Sequence, residues 1–258
     1  MREIACQDIT AAVARLFVAA NYDLPAEVLA ALERAVAAET SAIGREVLQT
    51  LVDNARIAAT QRLAMCQDCG LAVVFAELGR DVHLDGDLYA AVDEGVRQAY
   101  ADGWLRKSAL ADPLNRGSNT GDNTPAIVHL RLAPGERLTL HCAPKGGGSE
   151  NMSALWMLSP SAGREGVITR IVERVKEAGG KPCPPLVLGV GLGGTFEQAA
   201  RYNLQLNAPY LAITNGLATF CCALDLGAGT SGTATCKPAS KTWPAKPSMA
   251  ALASPKKS

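Results

Sequence analysis

The sequence predicts a mixed α/β fold of the α+β kind, with an N-terminal helical region followed by a mixed strand–helix unit. Two patterns and one bulk property carry this expectation. Through about residue 65 the apolar residues recur at helical spacing. Beyond Met65, short apolar and partly β-branched runs alternate with helical stretches. At 48% hydrophobic and 19% charged over 258 residues, the chain has enough apolar material for a substantial core.

Each element has a local reason. Asp8 is placed to cap a first helix whose apolar face is Ile9, Val13, Leu16 and Phe17. Pro25 stands where a second helix can begin, followed by Val28, Leu29, Leu32 and Val36. Thr40 or Ser41 caps a third, bearing Ile43, Val47, Leu48, Leu51 and Val52 and running on through Ile57; all of these apolar residues read as core. Residues 71–75 form a buried strand and residues 87–100 a helix. Residues 126–132 and 138–142 read as strands joined by a turn containing Pro134 and Gly135. Residues 164–178 form a helix ended by Gly179 and Gly180, and residues 186–190 a short buried strand before a glycine-rich turn. These make one domain over residues 1–200.

The tail, residues 201–258, reads differently. Of the 25 acidic residues only Asp225 lies in it, where the density of the first 200 residues would place about seven. From Gly227 the composition is Thr, Ser, Lys, Pro and Ala, which predicts a partly disordered, divergent segment. A change of reading frame near residue 200, a recombined tail and genuine divergence are the three explanations, of which the charge loss favours the first.

Composition excludes some functions. Lys+Arg 25 balances Asp+Glu 25, which argues against a nucleic-acid or membrane-surface protein. No apolar run reaches the roughly 18 residues of a membrane span. The first residues lack the basic-then-apolar layout of a signal peptide, so a cytoplasmic protein is expected. Eight cysteines in such a chain suggest metal ligation or buried thiols rather than a disulfide framework.

Four segments could carry chemistry. Cys66-Gln67-Asp68-Cys69-Gly70 has C-x-x-C spacing, open to zinc, to a redox pair, to one ligand of an iron–sulfur cluster, or to a buried structural thiol. The loop Asn119-Thr120-Gly121-Asp122-Asn123-Thr124-Pro125 is dense in turn-forming side chains. Lys145-Gly146-Gly147-Gly148-Ser149-Glu150-Asn151 places three glycines after a strand, where they permit close approach of a ligand to backbone amides. Cys183 sits between prolines in Pro182-Cys183-Pro184-Pro185, a rigid setting that suits a ligand. Arg106 alone reads as a surface arginine, and His83, His129 and His141 are scattered without metal-ligand spacing.

In this order the segments closely resemble the class I, iron–sulfur-dependent fumarate hydratases and the related L(+)-tartrate dehydratases, specifically the α subunit of the two-subunit form. The resemblance is carried by Cys66-Gln67-Asp68, Asn119 to Pro125, Lys145 to Asn151, Cys183-Pro184-Pro185 and Gly193-Gly194-Thr195, with Asp53-Asn54-Ala55 the least specific. It implies a hydro-lyase subunit of the tricarboxylic acid cycle that hydrates fumarate to L-malate, using a 4Fe–4S cluster as Lewis acid. Cys66 and Cys183 are the implied cluster ligands. Gln67 and Asp68 are the implied catalytic neighbours, Asp68 in proton relay. Arg106 and the backbone at Gly148 are the implied substrate contacts.

The resemblance also implies a β subunit as partner, an oligomer, and a small dicarboxylate substrate. Cys69 stands where the family usually has threonine and is given no ligand role. The Ser-Glu-Asn after the glycines is more like fumarate-type members; tartrate or mesaconate are the alternative substrates. The resemblance stops at the tail. Cys221, Cys222 and Cys236 do not match the family's third-cysteine segment, and no catalytic histidine can be carried over. A non-catalytic remnant of the family and a zinc module built on Cys66 and Cys69 are the competing readings.

Overall fold

A computed structural model describes residues 1–182, positions 188 and 190, and the strand backbone at 213–214, 217–218 and 222–225. The helices come first, as expected: α1 (Cys6–Tyr22), α2 (Ala26–Ala38) and α3 (Ala42–Gln61) follow a short strand β1 (Arg2–Ile4). Then come β2 (Leu71–Gly79), β3 (Val82–Leu84), α4 (Leu88–Asp102), β4 (Ile127–Ala133) and β5 (Leu138–Lys145). A single turn α5 (Gly147–Glu150), a 3-10 turn (Pro160–Ala162) and α6 (Gly163–Ala178) follow, with short strands β6 (Ile213–Thr214), β7 (Leu217–Ala218) and β8 (Cys222–Asp225). Neither β1 nor β3 is foreseen by the sequence pattern; they pair in parallel, Arg2 with Val82 and Ile4 with Leu84.

The caps explain several boundaries. Ser41 starts α3 by accepting the Gly44 N–H at 3.2 Å, and Asp87 starts α4 by accepting the Tyr89 N–H at 2.8 Å. Pro25 stands just ahead of α2, where a missing N–H costs nothing. Asp8 is not a cap: α1 begins two residues before it, at Cys6, whose N–H is taken by the Asp85 carboxylate at 2.6 Å. Asp8 instead lies in the first helical turn, where its charge complements the amide dipoles. Gly179, with φ of 53°, ends α6.

One sheet organises the chain, in the order β4-β2-β5-β8. The strands on either side of Pro134 and Gly135 are not hairpin neighbours. β2 lies between them, parallel to β4 and antiparallel to β5. The reason is that residues 72–76 of β2 are apolar and buried on both faces, which demands the centre of a sheet. The turn at Pro134 and Gly135 therefore arches over the end of β2, where Arg80 N–H reaches Ala133 O at 2.8 Å and Asp81 N–H reaches Gly135 O at 3.0 Å.

The core forms where α1 and α4 lie together against the sheet. Ile9, Val13, Leu16 and Phe17 of α1 meet Val92, Val96 and Tyr100 of α4 and Val74, Leu138 and Leu140 of the sheet, all essentially inaccessible to solvent. A smaller cluster of Ala55, Ala58 and Met65 joins α3 to α2 through Leu29. The expectation of core packing fails on α3 at Ile57, which is 47% exposed, and at Ile43 and Val47, which are 75% and 54% exposed. Ile43 and Val47 sit in the first turns of α3, ahead of Val52, the first fully buried position of that helix, and Ile57 lies between the buried Ala55 and Ala58 but on the outer face. The expected strand at 186–190 and the Gly191–Thr195 turn lie outside the described residues, apart from positions 188 and 190, and so does the tail apart from the backbone of three short strands.

Candidate active site

The segment 66–70 is held from behind. After α3 the chain turns through Arg62 in the left-handed region, φ 55°. Met65 N–H then donates to Asn21 O of α1 at 2.9 Å, and Asn54 of α3 donates from Nδ2 to Met65 O at 2.8 Å. Two helices thus fix the peptide that leads into Cys66. Within the loop the Cys66 sulfur accepts the Asp68 N–H at 3.3 Å. Cys66 and Asp68 are half-buried, while Gln67 is exposed.

Cys69 turns the other way. It is buried, donates to Cys66 O at 3.5 Å and accepts the Arg106 N–H at 3.2 Å. Burial pushes its thiol up. It behaves as a structural thiol that ties the loop to the segment carrying Arg106.

Gly70 completes the loop, with φ of 69°. A β-carbon there would stand 2.3 Å from the carbonyl carbon and oxygen of Lys145. Only glycine allows the loop to lie this close to the end of β5. The outward carbonyls are also satisfied. Tyr100 donates its hydroxyl to Cys69 O at 2.7 Å and lies 3.2 Å from Gly70 O. Burial holds the Tyr100 phenol well above its usual range, so it remains a donor at any physiological pH.

Arg106 follows α4 and presents an exposed side chain, preceded by Trp104 in the left-handed region and by the buried Leu105. The polar loop after it is an anchor. Asn123 is 1% exposed and has φ of 65°. Its Oδ1 accepts the N–H groups of Ser108 at 2.6 Å and Ala109 at 3.0 Å, and its Nδ2 donates to Gly70 O at 3.2 Å. Asp122 accepts the Thr124 N–H and hydroxyl at 3.0 and 2.8 Å and pairs with Arg97 of α4 at 3.1 Å. The Thr124 amide chiefly, with the Thr124 hydroxyl and Arg97, lowers the Asp122 carboxyl to about 2. Ala126 N–H, donating to Asp93 at 2.7 Å, fastens the far end of the loop to the same helix.

The glycine-rich segment folds into the one-turn helix α5 over its own lysine. Lys145, with only 10% of its side chain exposed, donates to Ser149 Oγ at 2.9 Å and pairs with Glu150 at 2.9 Å. This closure presents Gly148 N–H to Asp68 Oδ2 at 3.5 Å, long enough to exchange for another oxygen. On its other side Gly148 lies near Lys181, whose carbonyl would be 3.5 Å from a β-carbon there. The chain thus passes the glycine turn two residues before Cys183, which lies outside the described residues.

The fold therefore brings Cys66, Gln67, Asp68 and Gly148 to one place and fastens the Arg106 backbone beside them. As a cluster site, the described residues offer one half-buried cysteine whose sulfur already accepts an amide. The Asp68 carboxylate and the Gly148 backbone amide lie alongside, 3.5 Å apart. That donor chemistry fits one thiolate corner of an iron–sulfur cluster. The histidines stand elsewhere: His83 on β3, and His129 and His141 on either side of Phe75 across the sheet. His129 stacks on Phe75 with centroids 4.8 Å apart, and burial lowers the His141 pKa. The sequence alone assigns no individual role to Asn54, Tyr100, Asn123 or Lys145, although Asn54, Asn123 and Lys145 fall in segments that carry the resemblance. Of these, only Lys145 and Asn123 lie in segments that composition marks as unusual.

Residues 10–212 match the family model described as Fumarate hydratase (Fumerase). The chain belongs to this family. Among curated relatives it is 37% identical over 199 residues to a protein of Methanocaldococcus jannaschii provisionally named L(+)-tartrate dehydratase subunit alpha, covering 75% of this chain and 70% of that one. It is 29% identical over 201 residues to the L(+)-tartrate dehydratase subunit alpha of Escherichia coli strain UTI89, covering 77% of this chain and 66% of the relative. The K12 strain's subunit gives 28% over the same length. The chain thus spans about two thirds of the length of the relatives it matches. No described helix is long and apolar enough to cross a membrane.

Proposed function

We propose that this chain is the α subunit of a hydro-lyase that adds water reversibly to fumarate to give L-malate, working in the cytoplasm with a β subunit. The observation that carries the reading is the convergence of three loops, at Cys66–Asp68, Arg106 and Gly148, the last two each tied to the cysteine loop by a hydrogen bond. Cys66 and Cys183 are the residues that would hold a 4Fe–4S cluster. Such a cluster supplies a Lewis acid for the substrate's carboxylate and hydroxyl, with no net redox change.

The chain's own residues account for the rest. The exposed Arg106 guanidinium takes a substrate carboxylate in a two-pronged contact. Gly148 N–H exchanges its long contact with Asp68 for a substrate oxygen. Asp68 holds a proton in passage at the edge of the site, and Gln67 offers an amide to the hydroxyl. Hydration places hydroxyl on one carbon of the double bond and a proton on its neighbour; Asp68 lies on the path of the water-derived proton. The further base and carboxylate ligands are assigned to the β subunit.

A second substrate, L(+)-tartrate, is favoured by the names of the relatives, whereas the Ser149-Glu150-Asn151 sequence favours fumarate. Anaerobic reconstitution of the chain with a family β subunit tests the proposal. Malate from fumarate supports the first reading and oxaloacetate from tartrate the second. A loaded complex that acts on neither would refute both.

A further inference from the structure

We propose that Asn123 is the positioning residue of this site, setting the distance between the loop that carries Cys66, Gln67 and Asp68 and the segment that carries Arg106. The inference rests on the function proposed above for its catalytic consequence, but its geometry is independent of it. Asn123 is one of two buried polar residues among those described, and every polar atom of its side chain is in use. Oδ1 takes two successive amides, Ser108 and Ala109, directly after Arg106 and Lys107. Nδ2 donates to the carbonyl of Gly70, the last residue of the cysteine loop. One rigid amide group therefore spans the two segments by direct hydrogen bonds.

The backbone explains why asparagine does this. Asn123 sits at φ 65°, where asparagine and glycine are tolerated and most residues are strained. Its neighbours do not share the task. Asp122 and Thr124 turn toward each other and toward Arg97, and Asn119 reaches Lys107 O from an exposed position. A second link, from the Arg106 N–H to the Cys69 sulfur at 3.2 Å, ends on a weak acceptor and orients the segments less sharply than the amide does.

Two substitutions separate the two halves of the bridge. Asn123→Asp keeps the acceptor for Ser108 and Ala109 but cannot donate to Gly70 O. Asn123→Gly keeps the backbone conformation and loses both halves. The measurements are alkylation of Cys66 in the full chain, read by peptide mass spectrometry, and amide exchange at Ser108 and Ala109. In Asn123→Asp, Cys66 labelling should rise about fivefold or more while Ser108 and Ala109 stay protected, because only the cysteine loop is released. In Asn123→Gly both should rise. Cys142, buried in the core, is the internal control and should not change. With a β subunit present, Asn123→Asp should raise KM for the dicarboxylate by about tenfold and lower kcat less.

Unchanged Cys66 labelling in both folded variants would overturn the proposal. So would a parallel rise at Cys142, which would make Asn123 a general stabiliser, or an unchanged KM in an active complex. An inactive wild-type complex would instead count against the proposed function, and the labelling and exchange results would still decide the role of Asn123.

Discussion

Alanine at Gly70 tests the packing of the cysteine loop against β5, and alanine at Gly121 supplies its reference. Both glycines have positive φ, 69° and 80°. They differ in their surroundings: a β-carbon on Gly70 meets the Lys145 carbonyl at 2.3 Å, whereas one on Gly121 meets nothing within 4 Å. Alanine at Gly121 therefore carries only the left-handed backbone cost, about 1–2 kcal/mol. Alanine at Gly70 carries the same cost plus a backbone overlap that no side-chain rotation relieves, about 1–3 kcal/mol more by analogy with overpacked cores. Urea unfolding followed by circular dichroism reads both. With a slope near 2 kcal/mol per molar urea, the Gly70 variant should lose about 1–2.5 M of midpoint and the Gly121 variant at most about 1 M. The Cys69 and Gly70 carbonyls should also leave Tyr100 and Asn123, so Cys66 labelling should rise in the Gly70 variant alone. Equal midpoints for the two variants would refute the close packing of the loop on β5.

Three further outcomes follow from the same geometry. The Asp122 carboxyl is depressed in the folded state, so its stabilisation is complete above about pH 4 and is lost as the pH falls through about 2; Asn at 122 should remove about 2 kcal/mol at neutral pH and flatten the stability–pH curve in that acid range. Phenylalanine at Tyr100 leaves a buried carbonyl without its donor at 2.7 Å, and should cost about 1–2 kcal/mol in thermal unfolding. Lysine at Arg106, whose side chain is exposed, should leave the melting temperature unchanged; under the proposed function it should raise KM for the dicarboxylate about tenfold or more, since a point charge would replace the proposed two-pronged contact.

Much of the fold is legible in the sequence because local rules and tertiary packing agree there. The face of Ile9, Val13, Leu16 and Phe17 is helical in spacing and buried in fact, and Ser41 and Asp87 cap as short polar residues do. Failures occur where partners lie far away in the chain. Nothing local in residues 126–142 says that β2 separates the two strands, since strand order depends on which run is most apolar overall. Ile43 and Val47 have the right spacing but lie ahead of the part of α3 that meets the core.

The site divides in the same way. Cys66, Asp68 and Gly148 fall in compositionally unusual segments, and the fold brings them together. Asn54 and Tyr100 act on them from ordinary helix positions, through carbonyls at Met65 and Cys69 that no side-chain pattern reveals.

The central position of β2 also governs how the chain can be made. The strand is complete by residue 79, but its parallel neighbour ends at residue 133 and its antiparallel neighbour at residue 145. A ribosome must therefore add more than fifty residues before β2 gains either neighbour from the sheet. Throughout that interval at least one apolar face and both hydrogen-bonding edges are available to other chains. Helices α1 and α4, both finished before β4 emerges, can cover only one face. Such a topology is slow to close, and chains halted before residue 127 should collect in aggregates rather than as soluble fragments.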